Sequence, residues 1–136
     1  MTKYLLLLCI AWTLAPARLK TTWATHTGGT IDTTLAQSML DAPLVVSDDK
    51  GGAYTITRFR FSYRRKSTYQ DSAGKVDTAF QLFSKEFYNT PVIDTLWRDN
   101  IIPTLQVGET FYIDNVIARN AKGEKSLAPG LTFDIR

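Results

Sequence analysis

From Leu131 to Ile135 the chain changes polarity at every residue. Leu131, Phe133 and Ile135 fall on one side, Thr132, Asp134 and Arg136 on the other. Alternation of this kind fits a half-buried β-strand and not a helix. Upstream, Phe111, Ile113 and Ile117 share one parity, interrupted by Asn115. Between the two runs lies Asn120-Ala121-Lys122-Gly123-Glu124-Lys125. There Asn and Gly tolerate positive φ and the charges prefer water. The pattern predicts an antiparallel hairpin over Val107 to Arg136. A hairpin is not stable alone, so the remaining sequence must supply further strands.

Ala53 to Lys66 (AYTITRFRFSYRRK) is the strongest of these. Tyr54 and Ile56 share one parity, Phe59, Phe61 and Tyr63 the other. The switch near Thr57 and Arg58 predicts a β-bulge, which re-aims the side chains beyond it. After the switch, Arg58, Arg60 and Arg64 lie opposite the aromatic face, with Ser62 between them and Arg65 and Lys66 following. Arginines on an exposed strand keep it soluble and discourage edge pairing. They also suit a docking face for an acidic protein or anionic polymer, because the planar guanidinium bonds carboxylates bidentately and stacks on aromatics.

The other elements are shorter. Ile31, Leu35, Met39 and Leu40 recur at helical spacing behind Asp32, so a helix over Thr33 to Leu40 is expected with Asp32 as its N-cap. Leu44 to Ser47 reads as a strand and Asp48 to Gly52 as a hairpin turn. Its two aspartates do not make an EF-hand, whose ligands spread over twelve residues and close with Glu. After a polar turn from Ser67 to Gly74, Val76 to Phe83 returns as a strand, and Ser84 to Asn89 reads as a loop. Thr90-Pro91 has the form of an N-cap with proline at the first helical position. Ile93, Leu96, Trp97 and Ile101 then predict a helix from Pro91 to Asn100, with Pro103 forcing an exit. The expected class is mainly β: an antiparallel β-sandwich-like domain with two short helices.

At the N-terminus, Lys3, the apolar run Tyr4 to Leu14 and the Ala15-Pro16-Ala17 site read as a secretory signal peptide over residues 1–17. About a dozen apolar residues fall short of the ~20 that span a bilayer. Cys9 lacks the small residue before it that a lipoprotein signal needs. Cleavage after Ala17 removes the only cysteine, so the remaining domain has no disulfide and must rely on packing. It also removes Lys3 from 16 cationic and 13 acidic residues, which leaves 15 against 13, a net charge of +2. So mild a balance does not point to nucleic acid. Residues 18–27 (RLKTTWATHT) are polar and unpatterned, and are expected to be a flexible, solvated segment that includes Trp23 and His26. Residues 28–136 then form a single β-rich domain.

Reactive chemistry is sparse. A nucleophile–His–acid triad needs a histidine inside the domain, and His26 is the only one in the chain. One histidine and one cysteine cannot build a His/Cys metal site. No phosphate-cradling glycine loop occurs. Asp77, Glu86, Asp94, Asp99, Glu109 and Asp114 are expected to scatter over strand and helix surfaces, without the pairing that glycosidase chemistry requires. No cofactor, metal or catalytic residue is assigned, and a non-catalytic module is expected.

Several stretches, in order, resemble the C-terminal domain of the gliding-motility and type IX secretion motor proteins GldM and PorM. These are Gly28-Gly29-Thr30-Ile31, Leu35-Ala36-Gln37, Phe59-Arg60-Phe61-Ser62-Tyr63, Gly108-Glu109 through Gly123, and Leu127 to Ile135. Asn120-Ala121-Lys122-Gly123 stands where that family has Gly-Pro-Asp-Gly, so the turn geometry is expected to differ. The motor's membrane and coaxial periplasmic parts have no counterpart here. The resemblance implies a stand-alone exported copy of a β-rich, protein-binding periplasmic domain, in the periplasm or at the cell surface, without a transmembrane helix in the mature chain. Its expected partner is an envelope protein, among them outer-membrane-associated secretion or motility components, and motor activity does not carry over. The residues assigned to partner binding are Arg58, Arg60, Arg64, Arg65 and Lys66. The alternative is a secreted carbohydrate-binding or carbohydrate-active protein, in which Trp97, Tyr69 or Tyr88 would stack on sugars.

Overall fold

The computed structural model describes residues 18–136, so the expected signal peptide, with its cleavage site at Ala15 and Ala17, lies outside the described residues. In chain order the elements are β1 (Leu19–Trp23), β2 (Gly29–Ile31), α1 (Thr33–Met39), β3 (Leu44–Asp48), β4 (Ala53–Gln70), β5 (Val76–Tyr88), α2 (Thr95–Ile101), a 3-10 turn (Ile102–Thr104), β6 (Thr110–Arg119), β7 (Lys125–Ala128) and β8 (Leu131–Ile135). The mainly-β class with two short helices is what the structure shows. All eight strands belong to one strongly curled sheet, ordered β1-β3-β4-β6-β8-β2, with β5 added to β4 and β7 to β6. Every pairing is antiparallel except β2 with β8. Among the described residues no helix is long and apolar enough to cross a membrane.

The curl closes the core. Trp23, at the end of β1, lies 6.0, 5.8 and 5.9 Å ring-to-ring from Phe61, Phe111 and Phe133. Those rings come from β4, β6 and β8, so the β1 edge of the sheet folds back over the face of its centre. The Trp23 indole N–H donates to the Ala42 carbonyl, so its one polar group is also satisfied. Helix α1 closes one side with buried Ala36 and Met39, and Asp32 caps it by accepting from the Leu35 N–H. Residues 18–27 are therefore not a solvated lead-in, as their composition predicts. Their burial alternates, but Thr21 occupies an inward position that an apolar residue normally marks. Trp23 and His26 bond each other's backbones across a turn in which Ala24 and Thr25 have φ of 48° and 68°.

The expected bulge is present, and it has a counterpart. The β4–β6 register slips by one extra residue in β4 at Thr57, then by one in β6, and is the same on both sides. In β6 the extra residue is Asn115, at φ 50°. It moves the buried set from Phe111 and Ile113 to Val116 and Ala118, so Ile117 is not on the buried parity that the sequence suggests. Pro129 and Gly130 separate β7 from β8 opposite this bulge. A Cβ at Gly130 would come 2.7 Å from the Ile113 carbonyl oxygen, closer than such atoms approach.

Three further boundaries differ from expectation. β4 continues to Gln70 and β5 runs from Val76 through Tyr88, so the turn shrinks to residues 71–75 and the loop over Ser84 to Asn89 is mostly strand. Helix α2 starts at Thr95, capped by Asp94 on the Trp97 N–H, whereas the Thr90 hydroxyl is used locally by Val92. Ile93 and Ile101 are buried, but Leu96 is 68% exposed.

Candidate functional site

β4 is a core strand for half its length and an arm for the rest. Phe59, Phe61 and Tyr63 are buried, whereas Ser67 to Gln70 and most of β5 are exposed. Beyond Arg64 its only β-partner among the described residues is β5. The β4–β5 hairpin therefore projects from the body as a two-stranded ribbon. It carries Val76, Phe80, Leu82 and Phe83 into solvent at 64%, 43%, 63% and 41% exposure.

The cations of the sequence lie on this strand, but not as one free ladder. Arg58, Arg60, Arg64 and Lys66 share the parity turned away from the core. Arg58 reaches diagonally to Glu86, which also accepts from the Tyr88 hydroxyl. This pairing with Arg58, then the Tyr88 bond, holds the Glu86 carboxyl below the usual carboxylate range. Arg60 bonds Asp114 through two nitrogens, at 2.7 and 2.8 Å, directly across the β4–β6 pair. Arg64 lies over the Phe80 ring, 3.6 Å from its centroid. Arg65 has the opposite parity and faces the inner side. Among the described residues Arg64, Arg65 and Lys66 form no ion pair. The five residues expected to form one surface thus divide into two paired arginines, two free cations beside an exposed aromatic, and one cation on the other side.

On that other side, Tyr63, Arg65, Phe83, Leu96, Trp97 and Ile101 line an open cleft of about 240 Å³ between the ribbon and α2. Trp97 is packed edge-on against Phe61 and Phe87, with its remaining edge toward the cleft. Tyr69 and Tyr88 do not join it. Tyr69 lies far out on the ribbon, opposite Asp77, and Tyr88 has the outward parity beside Arg58.

Glu109 is not a surface carboxylate, as its sequence context suggests, but fully buried. It accepts from the Tyr63 hydroxyl at 2.6 Å and from the backbone N–H groups of Gln106 and Lys66. Burial, then this bond to the carboxylate, pushes the Tyr63 phenol well above its ordinary value. The carboxylate thereby ties the chain before β6 to β4, where the ribbon leaves the body. Sequence reasoning misses it because no alternation marks a buried acid; the only signal is the adjacent Gly108, at φ +96°. Among the described residues no group of three His, Cys, Asp or Glu side chains could hold a metal ion. No protein-family model matches the chain, and no curated protein matches it either.

Proposed function

We propose that the protein is an exported, non-catalytic protein–protein interaction module, acting in the periplasm or at the cell surface as an accessory to a type IX secretion or gliding apparatus. The resemblance of residues 28–136 to the C-terminal domain of the motor proteins supports the envelope setting. The observation that carries the binding role is the outward face of β4. There Arg64 and Lys66 stand without carboxylate partners beside exposed Phe80 and Leu82. A free guanidinium already stacked on an aromatic ring loses little freedom when it bonds an acidic side chain. The partner surface is acidic with apolar residues among its charges.

Affinity capture from envelope extract tests this, with mass spectrometry of what stays bound at moderate salt. Secretion-ring or motor components are expected on the wild type and reduced on the double variant Arg64→Glu/Lys66→Glu. Equal capture by both proteins would remove this face from the reading. Arg58 and Arg60 are poorer test positions, because their reversal also breaks ion pairs within the sheet. A second reading, a secreted carbohydrate-binding protein, has the cleft beside Trp97 in its favour. Glycans that raise the Tm of the wild type but not of Trp97→Ala would support it, since a ligand of the native state must stabilise that state.

A further inference from the structure

Strand β5 is an edge. It pairs with β4 over Val76–Tyr88 without a register shift, and no other strand adjoins it among the described residues. Natural edges are guarded by short length, proline, bulges or charged side chains, lysine above all. This one has 13 residues, no proline or glycine and no bulge, and its three charges, Asp77, Lys85 and Glu86, lie toward its two ends. Its sequence VDTAFQLFSKEFY is rich in residues that favour strands.

The geometry says which groups are offered. The Asp71 N–H bonds the Lys75 carbonyl at the ribbon turn. In an antiparallel pair, hydrogen-bonded and non-hydrogen-bonded positions alternate. Odd-numbered residues of β5 therefore bond β4, and the N–H and C=O groups of Val76, Thr78, Phe80, Leu82, Ser84 and Glu86 point to the open edge. The Thr78 N–H fits this, since it bonds only the Asp77 side chain.

We propose that the protein forms a two-fold dimer in which β5 pairs antiparallel with β5 of a second copy, centred on Gln81. The strand is largely complementary to itself about that residue, with Val76 opposite Glu86 as its one mismatched pair. Asp77 falls opposite Lys85 of the second copy, and Lys85 opposite its Asp77. Phe80 falls opposite Leu82, Ala79 opposite Phe83, and Thr78 opposite Ser84, each pair twice. The free backbone groups of the even-numbered residues meet one another, as hydrogen bonding across the edge requires. The neighbouring in-phase registers lose this match. Centring on Phe80 sets Lys75 against Lys85 and Asp77 against Phe83, and centring on Leu82 sets Asp77 against Phe87. Lys85 at present bonds Asp94 at 2.9 Å, but both side chains are over two-fifths exposed, and such pairs are readily exchanged. The dimer would set the exposed apolar residues of the two ribbons side by side and join the two sheets, with their faces still open. It does not rest on any envelope partner, and it leaves Arg64 and Lys66 on the outward face.

The test is a sedimentation series on the full chain and on Asp77→Lys and Lys85→Asp. The wild type is expected to show a concentration-dependent dimer. Each variant alone would place like charges opposite each other twice, and its dimer should be about tenfold or more weaker. An equimolar mixture of the two variants restores both opposite-charge pairs, so a mixed dimer of wild-type strength is expected. Circular dichroism of the separate variants checks that each is folded. A wild type that stays monomeric at all concentrations, leaving the edge to an extended segment of another protein, would overturn the proposal. So would single variants that dimerise as well as the wild type, or a mixture that gains nothing.

Discussion

The body and the β4–β5 ribbon both carry large apolar side chains, and they differ in what covers them. In the body, the β4 segment with Phe59, Phe61 and Tyr63 lies between β6 and β5, and Trp23 and Trp97 both pack edge-on against the Phe61 ring. In the ribbon, Phe80 and Leu82 have no second layer among the described residues, and Phe83 faces an open cleft. An alternating sequence states that a strand has an apolar side; it does not state what that side faces. Large apolar groups left in solvent on a long edge need a reason beyond the chain's own fold.

The sharpest way to test this contrast is to remove the group at the centre of the covered half. Trp23→Ala should cost about 3–5 kcal/mol in denaturant unfolding. A loss below about 1 kcal/mol would mean that β1 is an appendage after all. Next comes the joint between the halves. Glu109→Ala leaves a buried hydroxyl and two backbone N–H groups without their acceptor, and roughly 3 kcal/mol is expected. Tyr63→Phe should lose less, since one bond goes and the carboxylate keeps two donors. Equal losses for the two would show that Glu109 matters only through Tyr63. On the ribbon, Leu82→Ser should change monomer stability by no more than about 0.5 kcal/mol, as for surface positions in general. A loss of core size there would show that the ribbon packs on something in the free chain.

Two smaller effects refine the picture. The Thr21 hydroxyl is buried without a partner among the described residues. Thr21→Val keeps its shape and removes the unpaired group, and should raise stability by about 1 kcal/mol. The Glu86 carboxyl has a depressed pKa, so its stabilising contribution is complete above the ordinary carboxylate range and is lost as pH falls through the folded value. Stability curves of the wild type and Glu86→Gln should therefore converge in acid. Curves that stay parallel down to low pH would assign the pair no net role.

What the sequence made legible follows the same line. The parity switch at Thr57, the alternation of β8 and the Asp32 cap are local, and each can be read from a few neighbours. β1 could not be read, because Thr21 sits where an apolar residue would have shown the period. The start of α2, expected at Thr90-Pro91, was misread: Asp94 is a cap type as good as Thr90, and it is Asp94 that accepts from a helical N–H, that of Trp97, while the Thr90 hydroxyl accepts from Val92. The fate of the arginines depended on cross-strand register. Glu86 and Asp114 lie 28 and 54 residues away from Arg58 and Arg60, and no local pattern connects them.

The paired bulges constrain how the chain can change length. Thr57 in β4 and Asn115 in β6 offset each other, and the spacer Pro129-Gly130 keeps β7 and β8 in step with β6. Deleting one of these residues alone would force a neighbouring segment to slip by one place, which turns its inward side chains outward. Deleting one residue at all three sites would leave three regular strands with their faces intact. Natural variants are therefore expected to gain or lose length at these places together, as one three-site event.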